Sequence, residues 1–129
     1  MTAQQIKFVK SFLPAAVAAG AAFHLNPMAI LSQAAFESGW GTSSLSMNSR
    51  NFFGLTAYGA SNEYWHGGRT TVQARGYSLD FRRYDTAENS FLDFARLIRN
   101  SYRPAWSVSN DIAAYAKEIA YSPYISELN

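Results

Sequence analysis

Cysteine is absent from the 129 residues, which excludes disulfides and thiolate metal sites. Histidine is scarce: His24 and His66 stand far apart. A zinc site would have to be built mostly from carboxylates, so no metal and no organic cofactor are expected. A dominant charge is also missing. Lys and Arg total 11 against 9 Asp and Glu, for a net charge of +2, and no dense basic run occurs. That balance is too mild for a nucleic-acid partner, although it is compatible with an anionic polymer. No stretch reads as long and apolar enough to span a bilayer. Phe12 to Phe23 is apolar and Ala-rich, with Lys7 and Lys10 ahead of it, which imitates a signal peptide. Pro14 interrupts it and no convincing cleavage site follows, so it reads as a structural helix. There is no phosphate-binding Gly-rich loop of Walker or dinucleotide type. Ser38 has no His in a recognisable arrangement, which weighs against a serine hydrolase. No repeat, low-complexity tract or linker divides the chain, and its length suits one compact domain over residues 1–129.

What is present is apolar and aromatic: 48% hydrophobic and 16% aromatic residues, enough for a real core. Most of the aromatics should be core, while partly exposed Tyr and Trp can stack on sugar rings. Thr2 to about Gly20 is expected as a helix. Thr2 and Gln5 form a capping box, and Ile6, Val9, Leu13, Ala16 and Val17 share one face. Pro27 to Glu37 is a short apolar helix, with Asn26 as N-cap and Pro27 at the first position. Thr42 to Tyr64 reads as irregular. Arg69 to Tyr84 alternates as a β-hairpin with Arg75-Gly76 near its turn. Thr86 or Asp85 caps a helix from Ala87 to about Asn100 that turns Phe91, Phe94, Ala95 and Ile98 inward. Ser109 or Asn110 caps a last helix, Ile112 to about Tyr121, and Pro123 follows. Helices, a small β lobe and more helices make an α+β fold.

The most informative stretch is Gln33-Ala34-Ala35-Phe36-Glu37-Ser38-Gly39-Trp40-Gly41. A single carboxylate, Glu37, stands at the end of an apolar helix, and Gly39 and Gly41 stop that helix. An acid among Phe36, Trp40 and apolar turns is expensive to ionise, so its pKa should rise. A carboxylic acid kept protonated near neutral pH is what glycosidic cleavage needs for its leaving group. Trp40 reads as packing beneath Glu37.

That motif resembles glycoside hydrolase family 73, which includes bacterial autolysin glucosaminidases and flagellar rod-associated peptidoglycan hydrolases. Three further segments agree in order. They are Asn51-Phe52-Phe53-Gly54-Leu55, then Phe81-Arg82-Arg83-Tyr84 with Glu88 to Phe94, then Ile119-Ala120-Tyr121-Ser122 with Pro123-Tyr124. The resemblance implies a lysozyme-like fold, mostly helical with a small β-hairpin lobe flanking a groove. It implies cleavage of the β-1,4 bonds of peptidoglycan glycan strands, as an endo-β-N-acetylglucosaminidase, with Glu37 as general acid. It places Tyr121 near the scissile bond, whereas the bare sequence equally suits a helix-end core tyrosine. Asn51 and Phe53 are expected to line the cleft, and Trp65 joins them as a substrate-binding candidate.

The chain departs from the family in one respect. The β-lobe window Thr70 to Gly76, where a second acid is usual, holds none, and Gln73 takes the equivalent place. The candidates for a second carboxylate are Glu63, Asp80 and Asp85. Glu63, beside Tyr64 and Trp65, is preferred. Asp80 should face solvent and Asp85 should cap a helix. Failing these, the substrate's own N-acetyl group can act as nucleophile, or a water held by Gln73 or a tyrosine hydroxyl can attack. A muramidase, a lytic transglycosylase and a non-catalytic wall-binding module are the rival readings. The expected setting is the bacterial periplasm or cell wall, with no signal peptide evident. Delivery by a secretion machine as an antibacterial toxin, with an immunity or inhibitor protein as partner, is favoured over a holin-released phage lysin or an autolysin fragment. A monomer is expected.

Overall fold

The computed structural model describes residues 1–122 and 124. Among them the chain forms, in order, α1 (Ala3–Phe23), α2 (Pro27–Ser38), α3 (Ser44–Ser49), β1 (Arg69–Ala74), β2 (Tyr77–Arg82), α4 (Ala87–Ser101), α5 (Arg103–Ser107) and α6 (Ile112–Ala120). This is the α+β arrangement expected, mostly helical with one small hairpin.

The capping box of α1 is complete. Thr2 Oγ1 accepts from the Gln5 N–H at 3.1 Å, and Gln5 Oε1 accepts from the Thr2 N–H at 3.0 Å. The helix continues through Pro14 and past Gly20 to His24, whose φ of 55° closes it in the left-handed region. Two expectations about this helix are corrected. Its 21 residues are, by length and composition, long and apolar enough to cross a membrane, because the alanines raise hydropathy and Pro14 does not end the helix. Its buried face is also partly different, although Ala16 is buried and Val9 packs against the core as expected. Phe8, Ala15, Ala16, Ala19 and Gly20 are buried, while Ile6, Leu13 and Val17 are exposed. The rings of Phe8 and Phe12 set the inward direction, and the small residues let α2 and α4 pack closely.

Gly20 shows how tight that packing is. A Cβ there would lie 2.5 Å from the Leu25 carbonyl oxygen. Alanine favours a helix by about 1 kcal/mol over glycine, yet the backbone oxygen cannot swing aside as a side chain would. Gly20→Ala should therefore lose about 1–3 kcal/mol through overpacking, measured by urea unfolding. A gain would show that the α1–α2 turn relaxes freely.

Asn26 caps α2 as expected, accepting from the Met28 N–H at 3.0 Å. Its backbone N–H donates to Ser109 Oγ and its side-chain amide to the Ser109 carbonyl, which ties the start of α2 to the approach to α6. Ser109 is therefore not the cap of α6. Asp111 is, accepting from the Ala114 N–H at 3.1 Å. Thr86 caps α4 through Asn89, and Phe91, Phe94, Ala95 and Ile98 are all buried as expected. The short helix α3 breaks the stretch Thr42 to Tyr64 that reads as irregular, and α5 fills the connection between α4 and α6. Ser43 caps α3, and Pro104 lies in the first turn of α5. The expected stop at Pro123 lies outside the described residues.

The main core is rich in phenylalanine. Phe53 stacks on Phe94 with centroids 4.0 Å apart, and Phe91 meets Phe52 and Phe53. A second small cluster, Ala57, Trp65 and Tyr84, lies under the β lobe. The hairpin pairs Arg69 with Arg82 and Ala74 with Tyr77, so its turn is Arg75-Gly76 as expected. Its base is anchored where Thr56 bridges Phe81 and Ser49 Oγ lies 2.6 Å from Thr70 Oγ1. Val72, Gln73 and Tyr77, farther out, are exposed.

Candidate active site

Glu37 occupies the last turn of α2, which ends at Gly39 with φ 57°. Trp40 at 56° and Gly41 at 78° stay in the left-handed region. Glycine accepts that conformation readily, whereas for a bulky residue such as Trp40 it is an outlier. Edge-to-face contact with Phe8, centroids 5.8 Å apart, holds the Trp40 ring. Ser38 Oγ donates to the Ala34 carbonyl at 2.6 Å and accepts from the Gly41 N–H at 2.8 Å. Its hydroxyl is thus committed to the turn, not free as a nucleophile.

The tight turn leaves Glu37 on the wall of a groove of about 310 Å³ between α2 and α6. Ala29, Ser32, Gln33 and Phe36 line it from α2, and Ile112, Tyr115, Ala116, Ile119 and Ala120 from α6. Glu37 is half-buried, and burial raises its pKa above the usual carboxylate value. Phe36, 82% exposed, stands on the rim. Tyr115 Oη donates to Gln33 Oε1 at 2.8 Å. The buried Tyr124 donates weakly to the Phe53 carbonyl at 3.4 Å. Burial first, and the nearby charge of Glu37 second, push the Tyr124 pKa up, while the neighbouring Gln33 side chain works the other way. One acid, one amide and two tyrosine hydroxyls therefore share a neighbourhood among apolar side chains. Such a site can hold a proton for a leaving group and exclude water from it.

The remaining sequence candidates do not join this cluster. Tyr121 is 84% exposed and borders a different depression, with Glu118, Ser101 and Pro104. Tyr121→Phe should accordingly leave wall clearance within about twofold and stability within ±0.5 kcal/mol, as is usual for surface changes. A tenfold loss of kcat at unchanged melting temperature would restore it to the site. Asn51 is buried and saturated, its amide donating to the Leu55 and Arg82 carbonyls and its oxygen accepting from the Phe53 and Leu55 N–H groups. Phe53 is wholly in the core. Trp65 is buried, its Nε1 donating to the Gly68 carbonyl and its face covered by the Arg82 guanidinium at 4.2 Å, so it offers no sugar platform. The structure thus places three of the substrate-binding candidates in cores, because each has a packing or hydrogen-bonding partner that sequence spacing does not reveal.

Glu63 is exposed. Its carbonyl lies 3.1 Å from His66 Nε2, whose ring Nδ1 is 2.6 Å from Asp85 Oδ2. Asp85 is therefore an exposed partner of His66, not a cap. The hydrogen bond to Asp85 raises the His66 pKa. Gln73 is exposed near the hairpin turn. Asp80 accepts from Thr71 Oγ1 at 2.6 Å and lies 3.6 Å from Arg69. Among the described residues no group of three or more His, Cys, Asp or Glu is arranged to hold a metal. Sequence reasoning missed Gln33 and Tyr115 as site residues. Gln33 and Glu37 are four apart on one helix, a spacing that puts both on one face, and this signal was legible.

Comparison with known proteins bears on the family and the fold. The glucosaminidase family, described as mannosyl-glycoprotein endo-beta-N-acetylglucosaminidase, matches residues 13–129. The peptidoglycan hydrolase FlgJ of Vibrio parahaemolyticus is 27% identical over 133 residues, covering 93% of this chain and 42% of its own length. The chain thus spans less than half of that relative. The catalytic domain of the autolysin Auto from Listeria monocytogenes superposes with a TM-score of 0.76 at 24% identity, over 100% of this chain and 82% of that one. A type VI secretion system effector–immunity complex from Pseudomonas protegens contains a chain with the same fold, at a TM-score of 0.66 and 19% identity, over 95% of this chain and 78% of that one. With a family match that runs from residue 13 to residue 129 and includes both walls of the Glu37 groove, the chain belongs to the glucosaminidase family.

Proposed function

We propose that residues 1–129 form one catalytic domain that hydrolyses the β-1,4 glycosidic bonds of peptidoglycan as an endo-β-N-acetylglucosaminidase, with Glu37 as general acid. The observation that carries this reading is Glu37 itself: a half-buried carboxyl group at a helix end, its pKa raised by burial, in an apolar groove. In its protonated form, which burial favours, it donates to the glycosidic oxygen as the bond to the anomeric carbon breaks, positive charge develops on the ring, and water then bonds to the anomeric carbon to complete hydrolysis. Family membership and the peptidoglycan hydrolase name of the Vibrio relative support the substrate class.

The domain acts as a monomer in the periplasm or wall. The fold shared with a chain of a secretion-system effector–immunity complex favours an injected antibacterial toxin, and an immunity protein as its partner. Reducing-end analysis of digested wall tests the bond assignment. Free N-acetylglucosamine ends support it. Free N-acetylmuramic acid ends would make it a muramidase, and anhydro ends a lytic transglycosylase. Binding to insoluble wall without clearing a wall suspension would mean a non-catalytic module.

A further inference from the structure

We propose that the Gln33 side-chain amide is the group that recognises the acetamido substituent of the sugar beside the bond cleaved, and that Tyr115 positions it. The proposal rests on the hydrolase reading and names a residue for its sugar specificity. Gln33 and Glu37 lie one helical turn apart on the groove side of α2, and a turn rises about 5.4 Å. In an N-acetylated sugar the acetamido group is attached to the carbon next to the anomeric centre. A group one turn from the acid is therefore suitably spaced to meet it.

An acetamido group presents a carbonyl oxygen, which needs a donor, and a methyl, which needs an apolar surface. The groove supplies both. Tyr115 Oη donates to Gln33 Oε1 at 2.8 Å, which fixes the carbonyl end of the amide toward α6. The opposite end is the NH₂, with two hydrogens. It lies near the Tyr124 hydroxyl, whose pKa it lowers, and no well-formed hydrogen bond engages its hydrogens among the described residues. Ala29, Ala116 and Ile119 give the apolar wall. Tyr115, itself half of this hydrogen bond, acts through Gln33 and is a positioning residue. Burial pushes its pKa up, so it remains a donor through neutral pH.

The test is binding without turnover, in the Glu37→Gln background. Dissociation constants are measured by calorimetry for the β-1,4 tetramer of N-acetylglucosamine and for its fully de-N-acetylated counterpart. Gln33→Met keeps the length of the side chain and removes the donor. It should weaken binding of the acetylated tetramer roughly tenfold or more and leave the other within twofold, since a site built to hydrogen-bond a group discriminates by that bond. Tyr115→Phe, which frees the amide to turn, should lose part of the same preference. Equal weakening of both tetramers, no change in either, or no binding of the acetylated tetramer before any change at Gln33 would overturn the proposal. Failure of the hydrolase reading is seen separately, as wall that the Glu37 protein does not clear.

Discussion

Glu37→Gln should cut wall hydrolysis by about 10²–10⁴-fold, the contribution typical of general acid catalysis, while the protein stays folded. Glutamine keeps the shape of the side chain and loses only the transferable proton. The fold should tolerate it, because α2 is fixed by its Asn26 cap, by the Gly39 turn and by apolar contacts that do not involve the carboxyl group. The pH dependence follows from the direction of the pKa shift. Burial raises the Glu37 pKa in the native state, so between the unfolded and native values the folded protein holds a proton that the unfolded chain has released. Stability then falls as pH rises through that window, and the part due to Glu37 should vanish in Glu37→Gln. Activity should fall over the same rise, since the acid loses its proton. Clearance of a wall suspension by the variant at near wild-type rate would remove Glu37 from the mechanism. An unchanged alkaline limb of the rate profile in a milder variant, Glu37→Asp, would instead assign that limb to another group.

The parts legible in the sequence are those governed by local rules. Thr2 with Gln5, Asn26 with Pro27, Thr86, and Arg75-Gly76 each fix a cap or turn through neighbours a few residues away. The inward face of α4 follows from one unambiguous stripe, Phe91, Phe94, Ala95 and Ile98. The face of α1 was legible only at Val9 and Ala16, because almost every residue there is apolar or small. Periodicity alone cannot choose between Ile6, Leu13 and Val17 on one side and Phe8, Ala15 and Ala19 on another, and the choice is made by the partners, α2 and α4. Glu37 was readable because helix end, glycines and apolar flanks are all local. Tyr121 and Tyr115 were not distinguishable, since both belong to the α6 segment and only tertiary packing decides which hydroxyl reaches Gln33. Trp65 and Asn51 misled for a related reason. A polar or amphipathic residue in an irregular stretch suits a groove, yet the chain uses them to satisfy the carbonyls of Gly68, Leu55 and Arg82.

Asp93→Ala should cost about 3–5 kcal/mol of stability, the loss typical of breaking one partner out of a buried ion pair. Asp93 is fully buried on α4. Its Oδ2 accepts from Arg82 Nη1 at 2.6 Å and from the Tyr84 hydroxyl. Its Oδ1 accepts from Asn62 Nδ2 at 3.0 Å and from Arg96 Nε and Nη2 at 3.1 and 3.0 Å. Arg82 in turn donates to the Thr56 and Tyr58 carbonyls and lies over Trp65. One carboxylate thereby joins α4 to β2 and to the 56–65 loop, the elements that carry the β lobe. Removing it leaves a buried guanidinium and a buried phenol without their acceptor, and desolvation is then uncompensated. Against a typical total of about 5–15 kcal/mol, that loss brings the domain close to unfolding at 37 °C. The cause can be isolated. Arg82→Met combined with Asp93→Leu removes both charges and fills the space, so it should lose less than the sum of Arg82→Met and Asp93→Leu alone, with a coupling of about 1–3 kcal/mol. Urea unfolding of the four proteins decides it. A loss below 1 kcal/mol for Asp93→Ala, or strict additivity in the cycle, would mean that the β lobe is held by the Trp65 and Tyr84 packing alone.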